Sequence, residues 1–525
     1  MHKILVANRG EIAVRVIRAC RDLRIGAVAV YSDCDRAARH VRAADEAVHI
    51  GGNPPAESYL RIDRVIAAAK ASGADAVHPG YGFLAENDAF AAACRDAGLT
   101  FIGPSPQAIA LMGSKTAARQ AAVAAGVPVV PGTDTPLDSG VADEEIAAIA
   151  GRIGYPVMVK AVAGGGGKGM RVVNARDGLA GAVRAARSEA GAAFGDSAIY
   201  LERRLIRPRH IEVQLLADQH GRVLPFVERE CSIQRRHQKV VEESPSPVVH
   251  ADLRSRLASS AATIAASVGY TNAGTVEFLL DENGRFYFLE VNTRLQVEHP
   301  ITEMVTGVDL VEWQIRIARG EQLTIDPAQA LAPSGHAIEC RVYAEDPDSG
   351  FMPSPGRITA LHVPDGPGIR DDSGVEAGNE VPIYYDALIS KLVAWGGNRK
   401  QAISRMRRAL GEYDVRGIRT TVPFFRWLVD QPLFADAAFH TEFLDTLLQQ
   451  RHGKSFSEAE SSLREVALIA AAIHSSRDVT PGEGSGTGDP VRSSPAAWTQ
   501  QARVEGLRRF APNDVERFTP SRVEG

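Results

Sequence analysis

A chain of 525 residues is too long for one ordinary core and suits roughly three domains. Its 45% hydrophobic and 23% charged content is that of a globular protein, and 59 basic against 64 acidic side chains leave a net charge of −5, which gives no general case for nucleic acid or an anionic membrane as partner. Five scattered cysteines without a Cys-x-x-Cys pair exclude zinc and disulfide frameworks as the leading reading, and with neither a signal peptide nor a run of about 18 apolar residues the expected location is the cytoplasm.

From the N-terminus, residues 4–7 read as a strand, 12–23 as an amphipathic helix and 27–31 as the next strand, with further strands at 76–78 and 100–102. This alternation predicts a parallel sheet with helices on both faces. The first strand-to-helix turn is Asn8-Arg9-Gly10-Glu11 rather than Gly-x-Gly-x-x-Gly, so a dinucleotide site is weakly supported. A second region opens near Met112-Gly113-Ser114-Lys115 and holds a lid-like module, about 132–203, followed by strong β segments at 275–280 and 286–291. The third region, about 330–450, mixes strands at 337–343 and 389–395 with a helix at 399–413. Residues 475–497 are rich in Gly, Ser and Pro and read as a flexible linker, and 498–510 have helical spacing fit for docking.

Four segments carry chemistry. Between residues 275 and 300 two apolar runs flank Asn283-Gly284, a favoured two-residue hairpin turn. That turn sets Glu277 opposite Glu290, with Asn292 on the same face, and a bulge at the turn would shift the pairing by one. Facing carboxylates destabilise a sheet, so either one glutamate points to solvent or the group holds a hard cation such as Mg²⁺. Arg294, Gln296 and Glu298 then repeat at period two, which gathers polar groups just past that strand and favours the second alternative. The glycine run Gly164 to Gly167, with Lys168 and Gly169 after it, is either a flexible loop or a phosphate cradle, and Lys160 ends the apolar strand before it. The polar run Gln234 to Lys239 is a solvated charge run or part of a site. Arg341 interrupts an apolar strand, where arginine either pairs structurally or awaits an anion.

In order along the chain, Ala7 to Ile12, His78 to Leu84, Lys168 to Met170, Cys231 to Glu243, Glu290 to Pro300, Phe351 to Gly356 and Tyr384 to Leu392 resemble the biotin carboxylase family, over about residues 2–448. The resemblance implies an α/β fold: an ATP-grasp core (114–328, lid about 132–203) between a Rossmann-like N-terminal, or pre-ATP-grasp, domain (1–113) and a mixed α+β biotin carboxylase C-terminal domain (329–450), with 451–525 as a tail. Ala85 departs from the family pattern, which more often has serine there.

By resemblance, Lys115, Lys160, Gly166 and Gly167 hold ATP; Glu202, Arg203, Arg204 and Leu205 line its adenine pocket; and His210, Gln234 and His237 also contact the nucleotide. Glu277 and Glu290 bind ATP through Mg²⁺ or Mn²⁺, and Asn292 joins them. Lys239, Arg294, Gln296 and Val297 grip bicarbonate, Glu298 deprotonates it, and Arg341 with Tyr81 meets biotin. Lys239, Arg294, Glu298 and Arg341 form the catalytic set. None of the seven methionines brackets a lysine as Met-Lys-Met, so biotin is expected on a separate biotin carboxyl carrier protein, with a separate carboxyltransferase subunit. A homodimer is expected too. The final acceptor, whether acetyl-CoA, propionyl-CoA, another acyl-CoA or pyruvate, falls to that transferase. Two rivals remain. Another bicarbonate-activating ATP-grasp ligase, such as a carbamoyl-phosphate synthetase relative, would be expected to carry a second homologous half. A catalytically silent ATP-binding protein of a carboxylase complex would lack one of Lys239, Arg294, Glu298 or Arg341, and all four are present.

Overall fold

Lys3–Val6 (β1), Gly26–Ser32 (β2), Glu46–Gly51 (β3), Ala76–His78 (β4) and Thr100–Phe101 (β5) form a parallel sheet in the order β3-β2-β1-β4-β5. Ile4, Leu5 and Val6 are all fully buried, as a strand covered on both faces requires. The edge strand β3 has no clear signature in the sequence, because its first residues are exposed and it carries little apolar signal. Asn8, just after β1, donates from Nδ2 to the carbonyls of Pro79 (2.7 Å) and Tyr81 (2.8 Å), which ties the first turn to the 78–84 loop. Gly80 in that loop has φ +63°, and a Cβ there would lie 2.9 Å from Asn8 Nδ2, so both backbone and space demand glycine.

The computed structural model describes residues 1–133, 135–162, 170–195, 197–456, 466 and 468–472, in a chain that divides into Met1–Ser457 and Glu458–Gly525. Gly166, Gly167, the expected linker and the expected closing helix lie outside the described residues. Val157–Ala161 (β6), Met170–Val173 (β7) and Ile199–Arg203 (β8) make a separate sheet in the order β7-β6-β8. With the helices Asp143–Ile153 and Leu179–Phe194 it encloses its own small core, including Ile146, Val159, Val183 and Leu201.

The main sheet contains Arg209–Ala217 (β9), Val223–Pro225 (β10), Arg229–Arg235 (β11), Gln238–Ser244 (β12), Asn272–Leu280 (β13), Phe286–Asn292 (β14), His336–Tyr343 (β15) and the strands Ile369–Ser373 and Leu388–Gly396. Its path is β14-β13-β9-β11-β12-β15, then Leu388–Gly396 and Ile369–Ser373, with β10 on β9. Because β12 pairs with β15, the sheet is continuous from the second region into the third.

Glu277 does face Glu290, but not by the expected turn. Phe278 pairs with Phe288 and Leu280 with Phe286, and Asp281 N donates to Arg285 O, so the loop is three residues long, ending on Gly284 at φ +74°. A bulge at Leu289 then restores the register. The apolar pattern demands this parity switch. Phe286 and Phe288 belong to the core together with Val291, and two even positions can share a core face with an odd one only if a residue is skipped. Two one-residue offsets cancel, and the carboxylates meet.

The polar run after Gln234 is neither helix nor solvated coil: it is the tip of the β11–β12 hairpin, with Arg236 (φ +50°) and His237 (φ +66°) as its two turn residues. Such turns favour Asn-Gly, so Arg-His gives no signal, and two non-glycine residues in the left-handed region mark a strained site. The cost at Gly284 is backbone alone, since no atom lies within 4 Å of the Cβ position. Gly284→Ala should therefore destabilise the fold by about 1 kcal/mol, read as a lowered denaturant midpoint, with nucleotide affinity unchanged.

Candidate active site

Four residues stand in register across one face of the main sheet. Glu290 on β14 pairs with Glu277 on β13, Glu277 with Glu212 on β9, and Glu212 with Arg229 on β11. Adjacent like charges repel, and cations enter from both sides of the row. Arg229 is fully buried. It donates to Glu212, to Gln214 Oε1 (2.9 Å), to Thr302 Oγ1 (3.1 Å), to Thr275 Oγ1 (3.1 Å) and to Gln296 Oε1 (2.7 Å). Lys239 Nζ donates to Glu212, to Glu277 Oε1 (2.8 Å) and to Glu298 Oε1 (2.7 Å).

Glu277 Oε1 also accepts from Asn292 Nδ2 and Gln296 Nε2, both at 2.9 Å, while Oε2 lies 3.1 Å from His210 Nε2. Burial would raise the Glu277 carboxyl, but Lys239 and His210 hold it well below the usual carboxylate range. At Glu290 burial and the charge of Glu277 act together, and its carboxyl is raised. Burial opposes charge on Lys239 as well, yet Glu212, Glu277 and Glu298 push its ammonium well above the ordinary lysine value.

The segment after β14 is pinned. Thr293 N donates to Glu86 Oε1 (3.0 Å), and Arg294 donates from Nε to Glu86 Oε2 (2.8 Å) and from its terminal nitrogen to Asn292 Oδ1 (3.2 Å). Lys391 Nζ, also buried, donates to Val297 O at 3.0 Å. Glu298 directly precedes the helix His299–Thr306, whose N-terminal dipole favours negative charge there. Arg341 bridges Glu298 Oε2 (3.1 Å) and Glu242 Oε1 (2.6 Å). Against the effect of burial, Lys239, Arg341 and Arg229 hold the Glu298 carboxyl well below its usual range.

A cavity of about 550 Å³ lies over this face. Its wall includes Lys115, Lys160, Glu202, Arg203, Arg204, Leu205, His210, Gln234, His237, Lys239, Glu277, Glu290, Asn292, Arg294, Gln296, Val297, Glu298 and Arg341. Lys160 pairs with Glu202 at the β6–β8 side. Arg203 donates to Ile153 O (2.8 Å) and Arg204 to Glu442 (2.7 Å), so these two guanidiniums already have protein partners. Gln234 Nε2 lies 3.1 Å from His210 Nδ1 and orients that ring. Tyr81 is outside the wall, with Lys391 Nζ 5.7 Å from its ring centre.

Glu212, Arg229, Glu86 and Glu242 were missed by sequence reasoning. His210, Glu212 and Gln214 alternate with Ile211, Val213 and Leu215, a period-two signal that marks a polar strand face. Arg229 is hidden between two glutamates that read as a charge run. The carboxylate and amide oxygens of Glu277, Glu290 and Asn292 suit Mg²⁺, and the raised Glu290 carboxyl is the electrostatic conflict a cation would relieve. Arg229→Met should destabilise the fold by about 3–5 kcal/mol, because it leaves Glu212 buried beside like charges; a midpoint shift well below that range would show that Lys239 alone balances the row.

Residues 1–109 match the family model "Biotin carboxylase, N-terminal domain", 114–326 the "Carbamoyl-phosphate synthase L chain, ATP binding domain", and 339–446 the "Biotin carboxylase C-terminal domain". The chain is 52% identical over 445 residues to the biotin carboxylase of Nostoc sp., covering 85% of this chain and 99% of the relative. It is 53% identical over 444 residues to one of the subunits of pyruvate carboxylase from Methanothermobacter thermautotrophicus, covering 84% and 89%. Among solved structures, the Campylobacter jejuni biotin carboxylase in a β,γ-ATP complex aligns with TM-score 0.81 at 45% identity, covering 85% of this chain and 98% of that one. The biotin carboxylase domain dimer of Hydrogenobacter thermophilus 2-oxoglutarate carboxylase, with MgADP, ADP and bicarbonate, aligns with TM-score 0.81 at 46% identity, covering 87% and 99%. The central match alone would suit either bicarbonate-activating ligase, but the flanking matches and the near-complete coverage of biotin carboxylases decide it: the chain belongs to the biotin carboxylase family.

Proposed function

We propose that this protein uses ATP and bicarbonate to carboxylate biotin on a separate carrier, through carboxyphosphate. The observation that carries this reading is the convergence of Lys239, Glu277, Glu298 and Arg341 in one hydrogen-bonded cluster on the cavity wall. Lys115, Lys160, the backbone at Gly166 and Gly167, Glu202 to Leu205, His210, Gln234 and His237 hold the nucleotide. Mg²⁺ or Mn²⁺, held by Glu277 and Glu290 with Asn292, supplies charge neutralisation to the ATP phosphates. We further read 1–113, 114–328 and 329–450 as the three domains, a division supported by the order of the family matches.

Bicarbonate is a weak nucleophile, so it must be gripped and deprotonated before it attacks the γ-phosphorus in line. Lys239, Arg294, Gln296 and the Val297 backbone bind it, and Glu298 takes its proton. In the free protein the two cations on Glu298 keep it ionised; when Lys239 turns to bicarbonate and Arg341 to biotin, its basicity rises at the moment it is needed. Arg341 then stabilises the enolate-like ureido oxygen of biotin as N1 loses its proton, with Tyr81 on the biotin side. Phosphate released from carboxyphosphate accepts that N1 proton.

The carrier and the carboxyltransferase are separate subunits in this reading, the protein works as a homodimer, and it acts in the cytoplasm. Among the described residues no helix is long and apolar enough to cross a membrane. Solved structures named for pyruvate and for 2-oxoglutarate carboxylases each match at 46% identity over 87% of this chain, which supports leaving the choice of acceptor to the transferase.

Bicarbonate-dependent ADP release should rise on adding free biotin; turnover that instead required ammonia or glutamine would sink the assignment. Glu298→Gln should lower kcat about 10²- to 10⁴-fold with ATP affinity kept. Because the Glu298 carboxyl is depressed, it stays charged as pH falls, and its acid limb in kcat/KM for bicarbonate should lie below the ordinary value of about 4.3. Arg341→Ala should abolish biotin carboxylation and spare nucleotide binding; joint loss of both would misplace Arg341.

A further inference from the structure

Behind Arg341 lies a pair of carboxyls that this mechanism does not use. Glu242 on β12 and Glu339 on β15 are direct strand partners, so their side chains share a face. Both are buried, at 1% and 0% exposure. Glu242 Oε1 takes the Arg341 guanidinium through two nitrogens, at 2.7 and 2.6 Å. Glu242 Oε2 and both oxygens of Glu339 have no hydrogen-bond partner among the described residues. Two charged carboxylates paired across buried strands, with three of their four oxygens lacking a donor, would carry a heavy penalty of desolvation and repulsion.

The groups facing the pair do not neutralise Glu339. Arg341 is committed to Glu242 and Glu298, and Lys239 to Glu212, Glu277 and Glu298. Lys391 points to Glu11 (3.1 Å) and Val297 O, and the Cys231 and Cys340 thiols nearby are themselves pushed up by burial and stay neutral. We propose that Glu242 and Glu339 share a single proton, and that the pair acts as a positioning device for Arg341, setting how firmly that arginine is held towards Glu298 and the biotin end of the cavity. The inference rests on Arg341 serving biotin. Burial, then the neighbouring carboxyl, moves Glu339 well above the usual range; burial moves Glu242 up to about 7, against the pull of Arg341.

The charge arithmetic gives the mechanism. With one proton, the pair carries one negative charge, and Arg341 is shared between Glu242 and Glu298. When the proton is lost at alkaline pH, a second buried charge draws Arg341 back from Glu298. The protonated Glu339 hydroxyl is the donor that Glu242 Oε2 otherwise lacks, and an amide at position 339 would supply the same donor permanently.

The test uses the full chain as wild type, Glu339→Gln and Glu242→Gln. ADP release would be followed with ATP, bicarbonate and free biotin from about pH 6 to about pH 10, the span over which such shifted carboxyls titrate. Wild type should show the KM for biotin rising about tenfold at the alkaline end, with the KM for ATP flat. Glu339→Gln should keep neutral-pH turnover and lose that rise, and Glu242→Gln should lower kcat/KM for biotin about tenfold or more at every pH. Infrared difference spectra at neutral pH, which need no activity, should show a protonated carboxyl C=O band in wild type that Glu339→Gln removes. The proposal is overturned if that band is unchanged, or if Glu339→Gln keeps the wild-type alkaline rise. Absence of any biotin stimulation in wild type would instead sink the functional reading, while the infrared band would still judge the pair.

Discussion

The row of carboxylates across β14, β13 and β9 is the constraint around which the site is organised. Glu290, Glu277 and Glu212 repel one another, and each could be replaced by something milder if only the fold mattered. Arg229 and Lys239 are placed so that the repulsion is resolved at one end of the row and left open at the other. Arg229 is saturated by neutral and charged acceptors and closes the interior end. Lys239 sits over the middle with three carboxylates as partners. Glu290, at the far end, keeps a raised carboxyl, which is where a hard cation has most to offer. The site thus carries an electrostatic conflict built into a hydrogen-bonded sheet, whose backbone cannot relax it away.

Much of this is legible in the amino-acid sequence. The strands at both ends of the first region, the 275–292 hairpin and Arg341 in its strand follow from apolar periodicity. The sharing of one strand face by Glu290 and Asn292 follows from their parity. What is illegible has physical causes. The turn at Asn283-Gly284 reads as two residues because that dipeptide favours it, whereas the core requires an odd loop and a bulge to keep Phe286, Phe288 and Val291 on one side. Arg236 and His237 hold a hairpin turn that their own preferences oppose, so tertiary context alone explains it. Arg229 and Glu242 look like members of a surface charge run, and only strand pairing reveals them as fully buried.

The family resemblance implies residue roles that composition and spacing could not, and many of the residues it names line one cavity. Residues on the main sheet and on the segment after β14 meet in one wall. Arg203 and Arg204 line the same cavity but spend their guanidiniums on protein acceptors. Tyr81 lies outside that wall, with Lys391, which donates to Val297 O, near its ring.

The pairing of β12 with β15 has a consequence for how the site is held together. Lys239 and Glu242 are three residues apart on one strand, and Arg341 lies on the next. The bicarbonate and biotin ends proposed for the reaction are therefore marks on one continuous hydrogen-bonded sheet, not faces of two bodies that must find each other. The small sheet of β6, β7 and β8 stands outside this ladder.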